Sequence, residues 1–226
     1  MAPGSRHMGR LTGRLGPLLV SIALLVTACS SPGNDATVPP GANGPTPGPA
    51  GRGPLRLENQ GGSMEGHTPR GFAGMGTGLF TGDNLNSRFP EGDGVQFFLT
   101  FTLPSGVAEP GRAVLSSDAL RVSGTPFADL GGIVADSVAY ETFGPRVFDL
   151  PPDGDTVSCE RVGDGGLTCD VTRLVRSDIA SGSSRTQFRL RFETAADGDG
   201  RQDLAMFFLT DSNTNEPGIF TLELTP

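Results

Sequence analysis

The chain has 226 residues, a formal net charge of −8 at pH 7, 36% hydrophobic residues, 3 cysteines, 2 histidines and no tryptophan. That length supports one sizeable hydrophobic core, and the acidic balance argues against nucleic acid or anionic headgroups as surface partners; the absence of lysine reads as genome composition rather than chemistry. Two histidines are too few for a histidine-rich zinc hydrolase, and no His-Glu-x-x-His run occurs.

Arg6, Arg10 and Arg14 open the chain, followed by an apolar stretch from Leu15 to Val26 that Gly16, Pro17 and Ser21 interrupt. A basic start and a short apolar core make an export signal. A membrane span needs about 20 apolar residues, so the segment reads as cleaved rather than retained. It ends in Val26-Thr27-Ala28-Cys29, which resembles the bacterial lipobox. The resemblance implies diacylation of the Cys29 thiol, removal of residues 1–28 as a lipoprotein signal peptide, and attachment to a membrane through the new N-terminus. Each buried methylene contributes about 0.8 kcal/mol, and more than one acyl chain makes such an attachment stable. Ser30 in place of aspartate implies the outer membrane in a cell that has two. The alternative is an ordinary secretory signal with a chance cysteine.

Residues 29–54 contain Val38-Pro39-Pro40-Gly41 and Pro45-Thr46-Pro47-Gly48-Pro49, with almost nothing to bury. Proline stiffens such a run and glycine loosens it, so it reads as a semi-extended tether. Residues 55–226 then form the exported domain. Beyond residue 28, 14 arginines face 25 acidic residues, a formal charge of −11.

The stretch from Asn59 to Gly94 is glycine-dense and weakly periodic, either a first strand with long loops or a collar. His67 lies in it and is the one histidine left after export; no glycine-flanked nucleophile elbow accompanies it. Next, Val95, Phe97, Leu99, Phe101 and Leu103 alternate with other residues, a period of two that places them on one strand face and Phe98 on the other. Weaker strands are expected at 113–115, 119–122, 133–142, 156–162, 167–169 and 204–210. Tyr140, the single tyrosine, is the candidate ligand-binding aromatic: it stacks on a sugar or packs with its hydroxyl at the sheet rim.

If Cys29 is acylated, Cys159 and Cys169 remain to pair with each other. The run between them reads as a hairpin whose loop is Gly163-Asp164-Gly165, with Gly165 in the left-handed conformation. A disulfide there closes a short loop and contributes roughly 3 kcal/mol. A redox or metal pair is the alternative, although the spacing is far from Cys-x-x-Cys. One short helix follows, capped by Asp170 or Thr172, with Val171, Leu174, Val175 and Ile179 on one side before Gly182; it reads as a plug at the end of the core.

Gln187-Phe188-Arg189-Leu190-Arg191-Phe192-Glu193 alternates apolar with polar, and Phe220, Leu222 and Leu224 repeat the pattern. Such strands suit sheets with one buried and one wet face. Eight or nine of them predict an all-β fold, an antiparallel β-sandwich of jelly-roll kind. Between the last strands, Asp197, Asp199 and Asp203 present carboxylates on Asp-Gly turns, and the run from Asp211 to Glu216 adds oxygen donors. Hard oxygens on short turns suit calcium, the one cofactor the sequence suggests. Arg201 stands where the helix-loop-helix calcium pattern needs a ligand, and ordinary turns are the other reading.

Phe97-Phe98-Leu99-Thr100-Phe101 leading to Leu103-Pro104-Ser105-Gly106, then Ala113-Val114-Leu115 and Ala119-Leu120-Arg121-Val122, resembles the exported DNRLRE-type, carbohydrate-binding-module-like sandwich domains. Cys169-Asp170-Val171-Thr172-Arg173-Leu174-Val175, followed by Phe188-Arg189-Leu190-Arg191-Phe192, extends the resemblance over residues 95–224. It implies a jelly-roll-like binding or structural module of the bacterial envelope. Taken together, the sequence is expected to encode a lipid-anchored, noncatalytic envelope protein that recognises a polysaccharide or an envelope protein. The alternative is a carbohydrate-active enzyme with paired carboxylates, for which Glu141, Glu160 and Glu193 lie in strand-like segments.

Overall fold

Alternating apolar side chains need a second layer to bury them, and the chain supplies it by folding one long sheet over on itself. In the computed structural model the described residues are 53–59, 66–67, 71, 73, 78–86, 94–208 and 219–226, all within the compact unit Gly48–Pro226. Residues 1–28, Cys29, the tether as far as residue 52 and the Asp211 to Glu216 run lie outside them. In chain order the strands are β1 (Leu55–Glu58), β2 (Gly66–His67), β3 (Leu79–Asp83), β4 (Phe97–Thr102), β5 (Arg112–Ser117), β6 (Leu120–Ser123), β7 (Ile133–Ser137), β8 (Thr156–Val162), β9 (Gly166–Asp170), β10 (Arg185–Phe192), β11 (Asp203–Phe207) and β12 (Thr221–Thr225). Among the described residues, two short helices, α1 (Pro126–Asp129) and α2 (Thr172–Ala180), and a single 3₁₀ turn (Pro145–Val147) complete the set. The helix at α2 is the expected one; α1 is additional.

The fold is an all-β antiparallel sandwich. Nine strands follow the order β1-β12-β5-β9-β8-β7-β10-β4-β2, and three more follow β3-β11-β6. Strand β8 serves both halves of the larger sheet. Its residues 156–158 pair with β7 and its residues 159–162 with β9. One half therefore reads β1-β12-β5-β9 and the facing half β4-β10-β7-β8, with chain-distant strands nested as neighbours, which is jelly-roll order. The small sheet joins the edge of the second half through a bridge between Gly82 and Val95.

The core lies between these layers. Phe97 of β4, Phe207 of β11 and Phe220 ahead of β12 meet with ring centroids 5.2, 5.4 and 4.9 Å apart, so one aromatic cluster ties all three sheet segments. Leu99, Phe101, Phe188 and Leu190 are fully buried in the same core, as the period-two reading requires. Val171, Leu174 and Val175 are buried too, and α2 caps the core as a plug. Thr172 fixes it there: its hydroxyl oxygen accepts the Ala113 N–H at 2.8 Å, and the Asp170 carboxylate accepts the Thr172 N–H at 3.1 Å.

Cys159 and Cys169 sit directly opposite each other in the β8/β9 ladder and form a disulfide with Cα atoms 4.3 Å apart. The three-residue loop 163–165 is as expected, because Val162 pairs with Gly166. The left-handed residue is Gly163, with φ 59°, rather than Gly165. Turning the chain at the first loop position needs the missing Cβ there.

The polar face of β10 departs from expectation. Gln187 is 4% and Arg189 5% exposed, because a strap of residues 138–152 lies across it. Phe98, Val138, Tyr140 and Val147 form a second small core beneath that strap, with Phe143 and Leu150 against it. Strands β4, β7 and β10 are thus buried on both faces along most of their length.

Candidate functional site

A strap of irregular backbone over a sheet leaves amides and carbonyls that need partners, and the polar face of β10 supplies them. Arg185 Nη2 donates to Tyr140 O at 2.8 Å. The Gln187 Oε1 accepts from the Tyr140 N–H at 3.2 Å. Arg189 Nη1 donates to Phe148 O and Leu150 O at 3.3 and 2.7 Å, and Gln96 Nε2 reaches Phe148 O at 2.7 Å.

Register then builds an ionic centre under the strap. Asp136 lies opposite Arg189 on β10 and opposite Thr156 on β8, so cross-strand neighbours converge on one carboxylate. Asp136 Oδ2 accepts from Arg189 Nε and Nη2 at 3.0 and 2.7 Å and from Arg191 Nε at 2.8 Å. Its Oδ1 accepts from Thr156 Oγ1 at 2.6 Å and from Arg191 Nη2 at 3.4 Å. Burial pushes the carboxyl of Asp136 up, but hydrogen bonds from Arg191, Thr156 and Arg189 and the Arg189 charge outweigh it and hold the pKa below the ordinary 3.8. The carboxylate is fully buried, whereas the Arg191 side chain remains 31% exposed.

Where the strap ends, a cavity of about 230 Å³ opens beside this centre, lined among others by Gln96, Phe148, Pro152, Arg189, Arg191 and Glu193. A wider and more open depression of about 700 Å³ lies at the opening of β5 and α2, lined by Arg112, Asp170, Thr172 and Arg173. Its charges are already matched in solvent: Arg112 with Asp170 at 3.8 Å and Arg173 with Asp155 at 2.7 Å, all about two-thirds exposed. The smaller cavity is the better candidate, since its polar groups are held rigid by a desolvated network and ligand sites combine such groups with apolar walls.

Next to it along both strands is an acidic cluster. Gly82 lines the cavity and Asp83 follows it; Ala195 lines the cavity and Asp197 lies two residues on. Gly82 has φ 133° and a Cβ there would run into the Asp203 carbonyl; this approach sets Asp83 against β11. Ligand oxygens of Asp129, Asp197 and Asp203 lie within 4.8 Å of one another. Asp83 accepts the amides of Asp197 and Asp203, each at 3.3 Å. Burial raises the Asp83 pKa; those amides pull it back, and the charges of Asp197 and Asp203 push it up further.

The structure brings together part of the expected metal set. Asp197 and Asp203 come together, but the third member is Asp129 from α1, not Asp199. Asp199 is turned to the local loop, accepting the Arg201 N–H at 2.7 Å. The three oxygens are of the kind calcium takes, about half the six to eight it needs. Tyr140 packs beneath the strap. It is 7% exposed, edge-on to Phe98 at 5.9 Å, with its hydroxyl 3.2 Å from Thr100 Oγ1. His67 belongs to β2, opposite Phe97. Glu141 and Glu160 are exposed on separate elements, and of the three glutamates Glu193 lines the cavity.

Arg191, Gln96 and Phe148 escaped the sequence reading as site residues. The signal for Arg191 was its place in an alternating strand, which identifies a polar face but not what covers it. No family model matches the chain, and no curated protein matches it. No described helix is long and apolar enough to cross a membrane.

Proposed function

We propose that the chain is a lipid-anchored cell-envelope protein, held by acylated Cys29 and a Pro/Gly-rich tether, whose sandwich is a noncatalytic module that binds a glycan in the cavity at the end of the strap. The observation that carries this reading is the cavity itself. It combines apolar walls at Phe148 and Pro152 with guanidinium, amide and carboxylate groups, and Asp136 fixes the arginines in place before any ligand arrives. A preorganised site loses less side-chain entropy on binding. The lipobox-like run and the spacer support the location, and the resemblance to carbohydrate-binding-module-like domains supports the ligand class.

The test is a binding screen of the full chain, extracted from its membrane in mild detergent, against envelope and extracellular polysaccharides, with calcium and with chelator. Retention on at least one polymer without release of shortened product is the expected result. Retention on none, under either condition, overturns the binding reading; product release overturns its noncatalytic part. Mass spectrometry of the N-terminal peptide is expected to show diacylated Cys29 as the first residue. A free thiol there, or residues 1–28 still attached, removes the anchor.

A further inference from the structure

The cavity is lined by groups whose hydrogen-bonding capacity the protein leaves unspent. A guanidinium has five N–H donors. Arg191 uses three, two toward Asp136 through Nε and Nη2 and one from Nη1 to Phe192 O. One N–H on each terminal nitrogen therefore has no acceptor among the described residues. Arg189, whose side chain is 7% exposed, spends four donors on Asp136, Phe148 O and Leu150 O. Acceptors are unspent as well. Gln96 is 5% exposed and gives its Nε2 to the strap, while its Oε1 has no donor among the described residues. Glu193 commits Oε2 to the Gly132 amide at 3.1 Å and keeps Oε1.

This set selects a ligand by where its donors and acceptors lie. Two guanidiniums share the buried Asp136 carboxylate and Glu193 adds a second carboxylate to the lining, so the set is balanced overall; its open donors nevertheless lie together on one planar cation, Arg191, and two such N–H groups suit a carboxylate. Glu193 and Gln96 need donors, which a carboxylate alone does not offer but hydroxyls do. A volume of about 230 Å³ equals about eight waters at roughly 30 Å³ each, which is room for one sugar-sized ring.

We infer that the cavity binds a hydroxylated carboxylate, the uronate ring of an acidic polysaccharide, with its carboxylate on the open N–H groups of Arg191 and its hydroxyls donating to Gln96 and Glu193. The inference rests on the glycan-binding reading and narrows its ligand.

Calorimetric titration of the detergent-solubilised full chain tests it, using oligomers of galacturonate and glucuronate beside neutral oligomers of galactose and glucose with matching length and linkage. The expected result is that one uronate oligomer binds at least about tenfold more tightly than its neutral counterpart, the margin of a charge-assisted pair, and that the margin shrinks in high salt. Arg191→Gln is expected to abolish the preference while the variant keeps its melting temperature within a few degrees. Equal binding of acidic and neutral oligomers overturns the inference and leaves glycan recognition standing, whereas silence of the whole polysaccharide screen sinks the binding reading itself. Polyglutamate binding as tightly as the uronates overturns the role given to the hydroxyls. The comparison of oligomers on the unmodified chain, at low and high salt, decides the matter even if the variant does not fold.

Discussion

Asp136 holds the outer layer of the second half-sheet together. It faces two guanidiniums, of which Arg189 is buried with it, so removing its charge leaves Arg189 buried without a counter-ion. Asp136→Asn is expected to cost about 3–5 kcal/mol, read as a lowered urea midpoint; a loss under about 1 kcal/mol would show that the strap carbonyls suffice for Arg189. Because the folded pKa of Asp136 is depressed, its contribution is present above the ordinary aspartate value and disappears as pH falls through the folded one. Asp178 has the opposite sign. Burial raises its pKa, the Thr186 hydroxyl lowers it and the Asp153 charge raises it again. Its contribution is complete below 3.8 and is lost as pH rises through the folded value. Asp178→Asn is therefore expected to be more stable than the parent at pH 7, with the difference vanishing below 3.8. Urea titrations across pH 3 to 7 check this, and a pH-independent difference would refute it. At this scale the sequence displayed the chemistry but not the environment: Phe188 and Leu190 on one side of Arg189 announce a core, yet nothing local says that Phe148 and Leu150 carbonyls, about forty residues earlier, lie above the arginine.

Among the elements, the β8/β9 hairpin was legible almost to the atom, because two cysteines and a glycine-rich loop constrain register locally. Replacing both Cys159 and Cys169 by serine is expected to cost about 3 kcal/mol through loop-closure entropy in the unfolded chain. Guanidinium midpoints under oxidising conditions measure it, and an unchanged midpoint would mean that the ladder alone fixes the hairpin. The acidic cluster was half legible for the complementary reason. Asp197 and Asp203 sit on one loop and its following strand, where spacing is informative. Asp129 arrives from α1 because β6 pairs with β11, a long-range contact that periodicity cannot announce. The segment 133–142 shows the same limit: β7 stops at Ser137, and Val138 and Tyr140 leave the sheet to enter the strap's small core.

For the molecule as a whole, alternation in β4, β10 and β12 was enough to predict a sandwich, since each strand needed a facing layer. Strand order was not readable from patterning alone, and it has consequences. β12 lies between β1 and β5, and Leu222 and Leu224 fill the core with Phe220. Deleting residues 221–226 is expected to abolish cooperative unfolding, monitored by near-ultraviolet circular dichroism and calorimetry, rather than merely fray one end. A deletion variant with a sharp native transition would contradict that. β1, by contrast, has a single ladder neighbour among the described residues, joined through four residue pairs from Leu55↔Leu224 to Glu58↔Thr221. Leu55 and Leu57 also pack against the core, and Asn59 exchanges hydrogen bonds with Phe220, so the strand is fastened by side chains as well as by its ladder. Pulled from its N-terminal side, this edge strand would peel before the disulfide-clamped β8/β9 hairpin gave way.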